Sequence, residues 1–225
     1  SSAERGNPTE WSGSQGVVSR ETSMSEPEIL LGQAAQLGVA LDASQAATLL
    51  RYEDLLARRA VPLGAVGRSD ATRIRDRHIL DCLRAALLVH EDDIACDLGS
   101  GAGLPGIVVA VADPRVRVLL AESRAKRAAF LELAVRELGL SNADVVVGRA
   151  EELRRQVDAC FARAFAPLPL AWSVARGILR PGGRLVYFAG AELGDPVVPD
   201  GAALEAVVRT PVLESAGPLV IMTRQ

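Results

Sequence analysis

Asp97-Leu98-Gly99-Ser100-Gly101-Ala102-Gly103-Leu104-Pro105-Gly106 decides how this chain is read. The apolar run Ile94–Leu98 stops at glycine, and residues 104–112 resume with helical spacing. Glycine lets a chain turn sharply out of a strand and come close to a ligand. The helix that follows offers N–H groups without intrahelical partners. The turn is no phosphate loop, because Gly-Lys-Ser/Thr is missing. A dinucleotide site suits Gly-x-Gly-x-x-Gly, whereas here the glycines fall at 99, 101, 103 and 106. A tight turn with a purely structural role is the competing reading.

Beyond the turn, strand-like runs alternate with helical ones. Val116–Ala121, Ala143–Val147, Ala159–Ala164 and Arg184–Phe188 read as strands, with helices over 124–139, near 150–156 and near 167–180. That alternation predicts an α/β fold with a parallel sheet covered on both faces. Residues 203–213 and 217–224 are two more strand-like runs joined by Ser-Ala-Gly-Pro, with no room for a crossover helix. That pair must be antiparallel. The expected sheet therefore has seven mostly parallel strands with an antiparallel last strand. Before the sheet, helical spacing starts at Glu28. A second helix starts at Asp42 or Ser44, residues 61–68 form a loop, and a third helix covers 71–89 behind Ser69 and Asp70. We expect residues 1–26, rich in Ser, Gly, Glu, Thr and Pro, to be a disordered leader. Residues 27–90 are the N-terminal helical segment and 91–225 the α/β domain, packed as one globular unit.

Hydrophobic residues make up 49% and charged residues 24%, a globular composition. The net charge of −3 rules out a strongly basic nucleic-acid binder but hides a split. Residues 73–184 carry 17 Lys/Arg against 14 Asp/Glu, so a polyanionic partner fits the middle of the chain. Cys82, Cys96 and Cys160 are widely spaced, and with only His78 and His90 they make no zinc or redox pattern, so no metal is expected. No run reaches the length of a membrane span and no signal peptide is recognisable, which makes a cytoplasmic protein the default.

Asp-x-Gly-x-Gly-x-Gly opening an α/β domain resembles the first motif of methyltransferases that use S-adenosylmethionine. The resemblance implies their Rossmann-like fold and that cofactor, with Asp97, Gly99, Ser100, Gly101 and Gly103 at the binding turn. Glu122, at the end of the second strand, is placed to accept both ribose hydroxyls, as in dinucleotide folds. Arg149-Ala150-Glu151-Glu152 follows the third strand, where such folds cover the adenine, and Arg180-Pro181-Gly182-Gly183 has a structural role.

Further segments narrow the resemblance. Arg77-His78-Ile79-Leu80-Asp81, Gly103-Leu104-Pro105-Gly106, the run from Glu122 to Leu131, Gly148–Glu152 and Ala162-Arg163-Ala164-Phe165-Ala166 occur in order. Together, over roughly residues 45–190, they resemble the bacterial 16S rRNA methyltransferase G family (RsmG, also called GidB). The resemblance implies methylation of a guanine N7 in the decoding region of 16S rRNA. Its partner would be that RNA or the 30S subunit, without a membrane, and the protein is expected to be a monomer. It also implies cofactor contacts at Gly99, Leu104, Ala150, Glu151 and Arg163. One departure is Ala189-Gly190, where the family usually has Lys-Gly.

Guanine N7 carries a lone pair and no proton, so its methylation needs no general base. The protein has to align the reactants and exclude water. No residue is assigned as acid or base; Arg163, Lys126 and His78 are assigned positioning roles, His78 oriented by Asp81. Arg115, Arg117, Arg124, Lys126 and Arg127 against Glu122 form one basic group, and Arg73, Arg75, Arg77 and Arg84 against Asp76 and Asp81 another. Such groups neutralise phosphates. Arg124, Lys126, Arg127 and Arg77 are the expected RNA contacts, and Lys126 is the chain's only Lys. Phe165 is the first choice to stack a base, and Arg163 or Arg184 is expected to compensate for Ala189. A small-molecule or protein methyltransferase on the same fold, or a cofactor-binding module with weakened catalysis, is the alternative.

Overall fold

The computed structural model describes residues 24–225; residues 1–23 of the expected leader lie outside them. Seven strands form one sheet in the order β3-β2-β1-β4-β5-β7-β6. They are β1 Ile94–Leu98, β2 Arg117–Glu122, β3 Ala143–Val147, β4 Val157–Arg163, β5 Leu179–Phe188, β6 Ala202–Val208 and β7 Leu219–Arg224. β1 runs parallel to β2 and β4, while β7 lies antiparallel between β5 and β6. This is the expected Rossmann-like sheet with its antiparallel last strand. β6 ends at Val208 rather than at 213, and residues 209–218 make a longer connection than the expected four-residue turn.

Period-two alternation builds a core on each face of the sheet. Ala95, Val118, Leu120, Ala159, Phe161 and Val186 face one core; Cys96, Leu98, Leu119, Ala121, Cys160 and Leu185 face the other. The first core is closed by α1 Glu26–Gln36, α2 Ala43–Leu55, α4 Gly106–Ala112 and α5 Ala125–Leu138, the second by α6 Leu168–Ile178. Cys82, Cys96 and Cys160 are all buried, and burial pushes each thiol well above its usual range.

The N-terminal helices dock through polar contacts as well as apolar ones. Asp42 caps α2 in a reciprocal box with Gln45. Gln45 also donates from Nε2 to the carbonyls of Val111 and Ala112, the unpaired end of α4, at 3.1 and 3.0 Å. The expected third helix is broken. Arg68–Asp70 is a 3-10 turn, Arg75–Ile79 a π turn, Leu80–Leu83 the four-residue helix α3, and Arg84–Leu88 a second 3-10 stretch. A π turn widens the backbone and re-aims side chains; this one holds Arg77 and His78. The expected short helix near 150–156 is a single 3-10 turn, Ala150–Glu152. No helix of the described residues is long and apolar enough to cross a membrane.

Asp97 sits almost fully buried on the first face, and its Oδ2 accepts the Gly106 N–H at 3.0 Å, capping the start of α4. A Cβ on Gly106 would lie 2.4 Å from Leu120 Cδ2 and 2.8 Å from Asp97 Oδ2. Gly106→Ala should therefore lower stability by about 1–3 kcal/mol, seen as a lower urea midpoint with an unchanged slope. Burial pushes the Asp97 carboxyl up to about 7, against the Gly106 N–H, which stabilises the carboxylate. The folded chain then binds a proton that the unfolded chain releases, so stability falls as pH rises from about 4 to about 7. Asp97→Asn keeps an acceptor for Gly106 and should flatten that slope; urea midpoints of both proteins at about pH 5.5 and about pH 8 test it.

Candidate cofactor site and its basic rim

The sheet order reverses between β1 and β4, and a crevice opens there outside the strand ends. Ligands of open α/β sheets bind at this place. The glycine turn leaves β1 with Gly99, Gly101 and Gly103 at φ +63°, +59° and +91°, which side chains tolerate poorly. The Ser100 N–H donates to the Ala121 carbonyl at 2.9 Å, and the Gly101 N–H to Glu122 Oε2 at 2.9 Å. Glu122 Oε1 accepts the Arg124 N–H at 2.8 Å. Each Glu122 oxygen keeps a second lone pair, so the carboxylate holds the turn and can still receive a ligand hydroxyl.

Gly99, Ala121, Ser123, Gly148, Arg149, Ala150, Glu151 and Phe165 enclose a cavity of about 230 Å³ at the ends of β1 to β4. Phe165 lies against Gly99 so closely that a Cβ there would stand 2.7 Å from its ring. Ala164, before it, has φ +53°, a conformation costing a non-glycine residue about 1–2 kcal/mol. That kink separates Arg163, facing the N-terminal segment, from Phe165, facing the cavity. Phe165 is thus a wall of this cavity. Larger hollows of about 420 and 570 Å³ flank α5, away from the strand ends.

The expected cofactor residues separate into two groups. Gly99, Ala150 and Glu151 line the cavity and Gly101 binds Glu122. Asp97 and Ser100 instead brace the turn from below: the Ser100 hydroxyl donates to the Asp97 carbonyl at 3.1 Å, and neither side chain lines the cavity. Leu104 is buried where the turn enters α4. A fully buried Tyr52 donates its hydroxyl to the Ala102 carbonyl at 2.6 Å. Nothing in the sequence around Tyr52 distinguishes it from an ordinary core aromatic. The donors, glycines and carboxylates present fit S-adenosylmethionine: room along the turn, acceptors for ribose hydroxyls, and small residues under an adenine.

Beside the cavity lies a buried polar hub. Asp81 pairs with Arg84 through Oδ1 and with Arg163 Nε through Oδ2 at 3.2 Å. Arg163 Nη2 donates to the Arg77 carbonyl at 3.1 Å and to His78 Nδ1 at 2.8 Å. Burial and the Arg163 charge hold the His78 pKa below its usual value, so the ring is neutral, with its proton on Nε2, 3.3 Å from Asp70 Oδ2 but out of line for a hydrogen bond. Asp81 was expected to orient His78; Arg163 does so, because Asp81 spends both oxygens on arginines. Arg84 Nη1 also donates to Thr210 Oγ1 and the Gly217 carbonyl, and both guanidiniums lie about 6 Å from the Phe188 ring centre.

The basic groups read from the sequence divide differently in space. Arg115 and Arg117 precede or begin β2, about 20 Å along the strand from Arg124, and pair with Glu91, Asp113 and Asp144. Arg75 pairs with Glu53 and Glu26, Arg73 lies beside Asp70, and Arg84 is buried. Arg84 and Arg75 are thereby withdrawn from phosphates, while Arg73, Arg115 and Arg117 stay more than half exposed beside their acidic partners. Arg124 and Lys126 are exposed at the start of α5, while Arg127 Nη2 reaches the Gly64 carbonyl at 3.3 Å. Arg77 is half-exposed, 3.9 Å from Asp70. Arg184 binds Asp93 and His90 and lies five residues before Ala189, about 16 Å along the strand, so it cannot stand in for a Lys there.

The family model described as rRNA small subunit methyltransferase G matches residues 45–206. A ribosomal RNA small subunit methyltransferase G from Acidothermus cellulolyticus is 39% identical over 149 residues, 66% of this chain and 67% of that protein. The Kineococcus radiotolerans protein of that name is 38% identical over 181 residues, 78% of this chain and 70% of the relative. Among solved structures, a putative methyltransferase yhhF from Escherichia coli superposes with TM-score 0.50 at 18% identity, over 63% of this chain and 81% of that one, a likeness of fold alone. Glycine turn, carboxylates, hub and these relatives converge: the chain belongs to the rRNA small subunit methyltransferase G family.

Proposed function

We propose that this chain methylates a guanine N7 in the decoding-region loop of 16S rRNA. S-adenosylmethionine is the cofactor and, when bound, supplies a methyl group made electrophilic by its sulfonium. The observation that carries the reading is the Arg163 hub, two residues before the cavity wall Phe165, together with the exposed Arg124 and Lys126, which follow Ser123 of the same cavity. An uncharged nucleophile such as N7 needs no proton taken away, and the hub's chemistry agrees. Neutral His78 and the ion-paired Asp81 are both committed to Arg163. Of the five Arg163 N–H groups, those on Nη1 have no partner among the described residues. Aimed at guanine O6 or a phosphate, they would hold the base without placing a proton on N7.

Phosphate attraction falls to the rim. Arg124 and Lys126 are exposed on α5, and Arg127 joins that helix to the 61–67 loop. The end of β5 supplies no cation. The Ala189 N–H donates to the Pro218 carbonyl at 3.0 Å, and Gly217 packs directly on its backbone. Arg163, paired with Phe188 in the β4–β5 register, is the cation assigned to the place of the family's Lys.

Mapping of N7-methylguanine in 16S RNA from cells with and without the protein tests the substrate. Transfer in vitro to 30S subunits, naked 16S RNA and protein extract tests the alternative acceptors. Methylation confined to protein or small molecules would overturn the reading. Arg163→Ala should lower the rate on 30S subunits at least tenfold, consistent with losing a charge-assisted contact worth about 1.5–3 kcal/mol. Ala189→Lys should change that rate by less than about tenfold. Lys126→Ala and Arg124→Ala should each reduce the slope of log affinity against log salt by roughly one, leaving cofactor affinity unchanged.

A further inference from the structure

We propose that Tyr52 is a positioning residue of the cofactor turn: its hydroxyl fixes the Ala102 carbonyl and so makes cofactor affinity depend on the docking of α2. The proposal rests on the 97–106 turn being the cofactor site.

Four contacts hold it, three of them from outside the turn. Ala121 and Glu122 at the end of β2 take the N–H groups of Ser100 and Gly101, and Asp97 takes that of Gly106. Those three belong to the α/β domain itself. The fourth comes from α2, fifty residues earlier, and is the only one made to a carbonyl of the turn: Tyr52 Oη to Ala102 O at 2.6 Å. Tyr52 is fully buried, and burial raises its pKa well above the usual phenol value, so the hydroxyl is protonated and donates. Ala102 is also buried, so water cannot replace the donor. Ala102 sits between Gly101 and Gly103, both in left-handed backbone conformations that glycine alone adopts freely. A Cβ on Gly103 would stand 3.0 Å from the Tyr52 oxygen and 2.5 Å from Ile107. The hydroxyl therefore rests against the most mobile type of backbone at the point where the turn bends toward α4.

Such a bond acts by preorganisation. Without it the peptide between Ala102 and Gly103 can rotate, and the ligand has to order the turn on binding. The same tyrosine packs in the core shared by α1, α2 and α4, so the N-terminal helices are a working part of the cofactor site.

The test compares Tyr52→Phe with the wild type in the full chain, by calorimetric titration with S-adenosylmethionine and S-adenosylhomocysteine. Removing one buried hydroxyl donor should weaken both ligands by about three- to tenfold. The kcat at saturating cofactor should stay within about twofold, because the turn is ordered once the ligand is bound. A residue that only packs the core would lower the urea midpoint and leave both dissociation constants alone; that result overturns the proposal. Gly101→Val separates the two levels of the argument. Loss of binding there confirms the site, so that an unaltered Tyr52→Phe then counts against Tyr52 alone. Unchanged binding in Gly101→Val overturns the site and the proposal with it. Should Tyr52→Phe fail to fold, wild-type protein carrying 3-fluorotyrosine decides. The chain has only two tyrosines, Tyr52 and Tyr187. Their resonances are assigned through Tyr187→Phe. A Tyr52 signal that moves on saturation with S-adenosylhomocysteine supports the coupling, and one that does not move overturns it.

Discussion

The carboxylate of Glu122 fixes the geometry on which the site depends. It stands at the end of β2, almost fully buried, and takes one N–H from the glycine turn after β1 and one from the entry to α5. An acceptor with two oxygens thereby locks two neighbouring βα loops to one another. Hydrogen bonds to an ionised acceptor are among the stronger ones in a protein interior. Asp97 does the corresponding work one strand earlier, tying β1 to α4.

A second level of order comes from the hub around Asp81. Its two arginines reach in different directions, Arg163 toward His78 and Arg77, Arg84 toward the connection before β7. Three parts of the chain distant in sequence meet there: the broken helix over 75–88, the end of β4 and the residues around 210–217. Buried charges are tolerated only when paired and hydrogen-bonded, so the hub is all or nothing. Removing Asp81 would leave two guanidiniums unneutralised in a site with little access to water.

Much of this architecture was legible in the sequence because the signals are local. Strand runs, a glycine turn and helical spacing are set by neighbours a few residues apart, and β1 to β4 fall within two residues of where the pattern puts them, while β5 starts at Leu179, five residues earlier than expected. The breaks in the third helix were not legible. Arg73, Arg75 and Arg77 share a helical pattern with Ile74 and His78, and only their tertiary partners Glu26, Glu53 and Asp70 explain why the backbone widens and tightens there. Charge was read least well. Counting Arg115 and Arg117 with Arg124 ignores that a strand separates them, and setting Asp81 against Arg84 in the charge count does not show that the pair is buried. Tyr52 carried no signal, because what marks it is the orphan carbonyl it meets, fifty residues away.

The burial of all three thiols has a practical side. Cys82, Cys96 and Cys160 lie inside the two cores with their protonated forms favoured, so the folded chain presents no reactive sulfur. The natural sequence thus serves as its own blank background for site-directed labelling. A single cysteine introduced on the exposed start of α5 would take a fluorophore or spin label alone. Movement of that rim on binding RNA could then be followed without first replacing the buried cysteines.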